Sequence, residues 1–350
     1  MLTDCRIGHS HTRTRAIHIL SYLLLVIAFV AFGAAQSALA PVAHAEVDKE
    51  FAPIVKDTSA NDAVLVLVVE FKDSPQDGFY DQTNFEKLTH SINSMGVDGS
   101  YRNYLYTISK GKLNTAAYFP QTYTDGTYLH IRVNMTAEEY LNGVEQTGNT
   151  YKGTDRELFE QITQQFNYAR PGFDTGIFMD ESAFIKNMLV IIDLPENVEG
   201  FTSYSGNIEN QSLVFGQHAI GDFTIVGGGG TSSGADRFNA SVAVHERLHA
   251  LGAPYYYRDG TSGEPVGVWD VMAKADSYSW PLAFTRQQIG WLDSIPEISP
   301  QNSGQSIPLY SSNVSDDTSS KPQAYKIKPS PSESEYFIVE YRKRNEAAGN

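Results

Sequence analysis

The stretch HERLHALG, His245 to Gly252, decides how the rest of this chain is read. Side chains four apart on an α-helix stack on one face, so His245 and His249 aim two imidazoles at the same point. Glu246 is their neighbour on that face, where its carboxylate can take a proton from a water activated by a metal. Val244, Leu248 and Leu251 form the opposite, apolar stripe, so a helix from about Ala235 to Leu251 can bury one side and present the other. Gly252 stands where a left-handed residue is needed to stop it. H-E-x-x-H arises by chance in roughly one chain in a hundred of this length. The competing reading is a core helix with two hydrogen-bonded histidines. The amphipathic pattern, the glycine stop and the strands that precede the helix favour the metal. Zinc held by neutral imidazoles brings the pKa of water near neutrality and polarises a substrate carbonyl. Glu246 then serves as general base and later passes the proton to the leaving amine. An adjacent strand can hold an extended peptide by main-chain pairing. SLVFG (212–216) and FTIVGG (223–228) are the candidates.

Moving outward, AVLVLVVEF (63–71) is continuously apolar and β-branched, as expected of a strand buried on both faces. Phe85, Leu88, Ile92 and Met95 recur at helical spacing. A second helix is expected between Ser100 as cap and Gly111 as stop. Asp125-Gly126 predicts a hairpin. Thr136 with Glu139 and Thr154 with Glu157 are capping boxes, and Leu158, Ile162 and Phe166 continue the second. MLVIIDL (188–194) is another buried strand. Strands alternating with helices define an α/β class with a mixed twisted sheet. After residue 299 the chain becomes Ser/Pro/Asp-rich around three short strand candidates, near Ile307, Tyr325 and Phe337. The last has no partner evident in the sequence.

The first 45 residues carry a basic start, the apolar run IHILSYLLLVIAFVAFGAA, and small residues ending in the AHA at Ala45. This is the layout of a secretory signal, with an uncleaved anchor as the competing reading. The expected location is therefore secreted and extracellular. The segment has three arginines against one aspartate, so its removal moves the formal charge from -15 to -17. Such acidity disfavours nucleic acid and anionic membrane as partners and favours cations. Cys5, the only cysteine, lies inside the segment. The remainder has no thiol for cysteine catalysis, cysteine zinc sites or iron–sulfur clusters.

Other motifs are weaker. Gly230 to Gly234 matches the serine elbow G-x-S-x-G, but no histidine follows His249 to complete a triad in the required order. Asp174-Thr175-Gly176 matches one half of an aspartic peptidase dyad, and no second D-[ST]-G exists, so a turn is expected. GGGG at 227–230 lacks the Gly-Lys-Ser/Thr ending of a phosphate loop. His90, His130 and His218 are isolated and read as surface or capped histidines.

Taken in order, VLVVEFKD (66–73), SYRNYLYTISKGKL (100–113), HERLHALGAP (245–254), GVWDVMA (267–273), the QIGWL run ending at Leu292, and YFIVEYR (336–342) resemble the immune inhibitor A-like family of secreted zinc metallopeptidases. The resemblance implies a zincin-type α/β fold, hydrolysis of protein or peptide substrates, catalytic zinc and, as often in the family, structural calcium. Carried over by position, it makes His245 and His249 zinc ligands, Glu246 the catalytic residue and Met272 the methionine of the turn beneath the metal. It also suggests a structural role for Asp270. One position departs from the family pattern HExxHxxGxxD: the third-ligand place holds Tyr255. Three readings stay open, namely Tyr255 binding as phenolate, a shifted acid such as Asp259 taking its place, or an impaired site. The expected organisation is a signal (1–45), a catalytic domain (46–298, divided at 252/253), and a truncated β-rich segment (299–350). The main expectation is a secreted zinc endopeptidase, and the alternative a zincin-like binding protein that has lost turnover.

Overall fold

β1 (Asp62–Glu70) is nine residues long and buried from Val64 onward. Leu65, Leu67 and Val69 point into one core while Val64, Val66 and Val68 point into another. A strand covered on both faces needs apolar residues at every position, which is why the run does not alternate. The computed structural model describes residues 49–343, apart from 76–77, 80, 148–149, 180, 182, 196–197, 199–200, 209–212, 229–237, 257–265, 300–301, 314–320 and 329–333. The expected signal, the motif at 230–234, Tyr257 and Asp259 lie outside the described residues.

α1 (Gln82–Asn93) opens at Asp81, whose side chain accepts from the Asn84 N–H, and buries Phe85, Leu88 and Ile92. Met95 lies past the Ser94 cap and is exposed, so the periodicity overran the helix by one turn. α2 (Tyr101–Ile108) starts at the predicted Ser100 cap. It ends ahead of Lys110 and Gly111, both with positive φ. β2 (Thr115–Tyr118) then pairs in parallel with the start of β1.

The Asp125-Gly126 turn forms, closed by Tyr123 N–H to Thr127 O at 2.7 Å, but it does not carry a hairpin ladder. Only the Thr122–Tyr128 bridge pairs its flanks among the described residues. β3 (Ile131–Arg132) instead pairs in parallel with the end of β1. There Ile131 is buried, and that burial outweighs local hairpin pairing. α3 (Ala137–Gly143) carries its capping box as predicted: Thr136 N–H donates to Glu139 Oε2 at 2.7 Å and Glu139 N–H to Thr136 Oγ1 at 3.1 Å. β4 (Val144–Thr147) and β5 (Thr150–Gly153) pair antiparallel. α4 (Thr154–Ala169) buries Leu158, Ile162 and Phe166.

β6 (Phe184–Ile185), β7 (Met188–Asp193), β8 (Tyr204–Asn207), β9 (Val214–Phe215), β10 (His218–Ile220) and β11 (Asp222–Gly228) follow. The main sheet runs β2-β1-β7-β11-β8, with β3 also on β1. Every pairing is parallel except that of β8 with β11. α4 packs on the face lined by Leu65 and Val190. α1, α2 and α5 (Ala240–Ala250) pack on the opposite face, giving three layers. α6 (Ala283–Gln288), β12 (Glu297–Ile298), β13 (Ala324–Ile327) and β14 (Phe337–Glu340) complete the described chain.

The last three strands form a small sheet in that order. Two expectations are corrected here. The strand placed near Ile307 lies at 297–298, and the terminal strand does have a partner, β13. β12 pairs with β13 across the expected boundary at 298/299, and Ala283, Ile295 and Ala324 share one small core. Among the described residues no helix is long and apolar enough to cross a membrane.

Candidate metal centre

Asn239 caps α5, its side chain accepting from the Ser241 and Val242 N–H groups. The helix ends at Gly252, whose φ of +92° is the left-handed stop expected of it. Ala240, Ala243, Val244 and Leu248 fill the core beneath the sheet. The polar face is almost as well buried: His245 is 4% and Glu246 6% exposed.

The two imidazoles converge. Their Nε2 atoms are 3.0 Å apart, with ring planes at 89°. The Nδ1 of His245 lies 2.7 Å from the Val271 carbonyl oxygen, and that of His249 lies 3.1 Å from the Ala253 carbonyl oxygen. A carbonyl only accepts, so each Nδ1 carries the proton and each neutral ring turns an Nε2 lone pair towards the other. Burial lowers the pKa of both rings. His249 reaches about 4, with His245 adding to the shift and the Ala253 carbonyl opposing it. Two lone pairs 3.0 Å apart repel unless a cation draws them together. Two nitrogens of a tetrahedral zinc stand about 3.4 Å apart at ordinary Zn–N lengths, so a small outward movement of each ring admits the ion. The residues fit zinc as a two-histidine chelate with backbone carbonyls fixing both tautomers.

Glu246 is raised to about 8 by burial, with the nearby main chain of Ser205 opposing the rise. That places β8, the strand at the sheet's end, beside the carboxylate. The sequence candidates for a peptide-binding edge are therefore corrected. FTIVGG is β11, flanked by β7 and β8, and SLVFG contributes β9 to a separate sheet. Tyr-Ser-Gly-Asn of β8 is the strand at the end of the main sheet. Sequence reasoning missed Ser205, since its surroundings read as a Ser/Gly/Asn-rich loop.

Met272 is fully buried in the same core as α5. Asp270 builds the turn. Its Oδ1 accepts from the Met272 N–H at 2.7 Å, and its Oδ2 accepts from the Leu282 N–H at 2.8 Å and from Thr285 Oγ1 at 3.1 Å. Its carboxyl is pushed up by burial, against those donors. With both oxygens so engaged, Asp270 is a brace for the Val271 carbonyl that orients His245.

The third-ligand position is less regular. Tyr255 lays its ring on that of His249, with centroids 3.9 Å apart, and is 54% exposed. Among the described residues no third His, Cys, Asp or Glu joins the pair in a three-ligand group. The other histidines behave as expected of capped side chains: His218 Nδ1 meets Thr175 Oγ1 at 2.6 Å and His90 Nδ1 meets Ser94 Oγ at 2.8 Å. Asp174 accepts from the Gly176 N–H at 2.8 Å in a turn. No family model matches this chain, and no curated protein matches it.

Proposed function

We propose that this chain is an exported zinc endopeptidase of zincin type, with His245 and His249 as ligands and Glu246 as general base. The observation that carries the reading is the pair of neutral imidazoles whose Nε2 atoms converge to 3.0 Å. Bound zinc supplies the Lewis acidity that activates water and polarises the scissile carbonyl. Glu246 takes the proton of the attacking water and delivers it to the leaving nitrogen. Its raised pKa suits it to hold and release a proton near neutrality. β8, at the end of the sheet and packed on the helix that carries Glu246, is the strand we assign to pair with an extended peptide by main-chain hydrogen bonds. The acidity of the chain and its apolar amino-terminal run support export and a protein or peptide partner, with neither nucleic acid nor membrane lipid bound.

A second reading is favoured by one observation, the stacking of Tyr255 on His249 at the third-ligand position: a zincin-shaped binding protein without turnover. Metal analysis and a casein or gelatin assay separate the two. One zinc per chain and hydrolysis abolished by Glu246→Ala is the expected result. A folded chain that takes up no zinc, or a Glu246→Ala variant that cleaves as well as the parent, overturns the peptidase.

A further inference from the structure

β8 is a strand whose position the hydrophobic pattern does not fix. Of its four residues only Tyr204 is buried, and the others are Ser205, Gly206 and Asn207. Register is normally enforced because a one-residue slip exchanges the buried and exposed faces. Here the pattern offers a single buried ring, Tyr204, and a slip would shift Ser205 along α5, against which β8 packs. The hydroxyl of that ring adds what the pattern lacks.

The side chain of Tyr204 reaches into the layer opposite α5 and ends on Asp155 of α4. Its hydroxyl hydrogen-bonds Asp155 Oδ1, which also accepts from Tyr140 of α3 at 2.9 Å, and the two hydroxyls touch each other. Asp155 is 1% exposed, and its Oδ2 is buried with no hydrogen-bond partner. A carboxyl group in that setting is costly, and apolar residues of similar volume would be more stable there. What it adds is direction, because a hydroxyl–carboxyl contact is met at one register and lost at the next. Gly206 reinforces it: a Cβ there would come within 2.6 Å of Phe223 Cζ, so the strand lies tight on that ring.

We infer that Tyr140, Asp155 and Tyr204 form a clamp that sets the register of β8 from one face of the sheet, so that the strand keeps its place against α5 on the other. They are positioning residues for the peptidase site, and the inference rests on that proposed site.

Hydrogen–deuterium exchange on the full zinc-loaded chain tests it. Tyr204→Phe keeps the ring, which packs edge-on to Phe223, and removes only the hydroxyl. Exchange at Ser205 and Gly206 is expected to rise about tenfold, the equivalent of one neutral hydrogen bond, while β7 and β11 stay protected and zinc stays stoichiometric. In casein hydrolysis the change is expected mainly in KM, since β8 is the strand that would hold substrate. Asp155→Asn and Tyr140→Phe are expected to reproduce the pattern more weakly, and stand in should Tyr204→Phe fail to fold. Unchanged exchange in β8, or loss of protection spread equally over β7 and β11, overturns the clamp. A wild-type chain inert towards casein would end the peptidase reading, and the exchange data would still decide the clamp by themselves.

Discussion

Tyr255 lies over the imidazole of His249, ring centroids 3.9 Å apart and planes inclined by 34°. The contact is between ring faces, so the aromatic surface of Tyr255 holds the imidazole whether or not its oxygen takes part. Tyr255→Phe keeps that surface and is expected to hold zinc within about threefold of wild type by chelator competition. Tyr255→Ala loses an aromatic pair of about 0.5–1.5 kcal/mol, and zinc binding should weaken about two- to tenfold. A hundredfold loss in the Phe variant would instead make the phenol oxygen a ligand.

Zinc binding should resist acid better than an ordinary histidine pair. Protons compete for Nε2, and burial lowers both rings, His249 to about 4. The neutral, ligating form of His249 therefore persists well below the usual imidazole pKa of 6.5, and that of His245 below it. Competition titrations are expected to show nearly constant affinity from pH 8 to about 6, with proton-linked loss beginning only below that. The same shifts act on the metal-free fold. A lowered histidine contributes stability that is present above 6.5 and lost as pH falls towards 4. An affinity that already declines between pH 7.5 and 6.5 would contradict the assigned environment.

Asp270 is fully buried and answers three donors at once: the N–H groups of Met272 and Leu282, and the Thr285 hydroxyl. Asp270→Ala strands the two N–H groups, while the Thr285 hydroxyl keeps the Tyr256 hydroxyl at 3.0 Å; each buried orphan costs about 1–3 kcal/mol, so urea denaturation should show a loss of at least ~2 kcal/mol. Because Val271 presents the carbonyl that fixes His245, zinc affinity is expected to fall about tenfold as well. Asp270→Asn keeps one acceptor oxygen and should lie between the two.

What could be read from the residues alone follows from where burial is continuous. β1 and β7 are covered on both faces, so each announces itself as an unbroken apolar run. His245, Glu246 and His249 are legible because helical spacing alone brings their side chains together. Neither argument reaches β8, which has one buried side chain and owes its position to Asp155, forty-nine residues away along the chain. The partner of β3 was hidden for a related reason: YLHIRV reads as β, but it pairs with the end of β1, and local hairpin chemistry pointed elsewhere. The Val271 and Ala253 carbonyls that orient the imidazoles are main-chain groups, and no residue type marks them.

Away from the histidine pair, Glu70 offers a test of the electrostatics of the sheet. It stands in register with Asp193 at the ends of β1 and β7, both buried, with Arg132 Nε 3.1 Å from its Oε2. Burial raises its carboxyl to about 7 despite the attraction of Arg132, and Asp193 adds to the rise. The folded state thus prefers the protonated form. Its contribution to stability is complete below the unfolded value near 4.5 and is lost as pH rises through 7. Glu70→Gln should therefore be close to neutral at pH 4 and stabilising at pH 8, read as a higher urea midpoint. Arg132→Ala should do the opposite, costing more at pH 8 than at pH 4, because it removes the cation that makes the buried charge tolerable. Asp193 is coupled to Glu70, so the difference between the two pH values reads the Glu70–Asp193 pair. If the wild-type advantage over Glu70→Gln grows with pH, the ion pair outweighs burial and the preference for the protonated form is wrong.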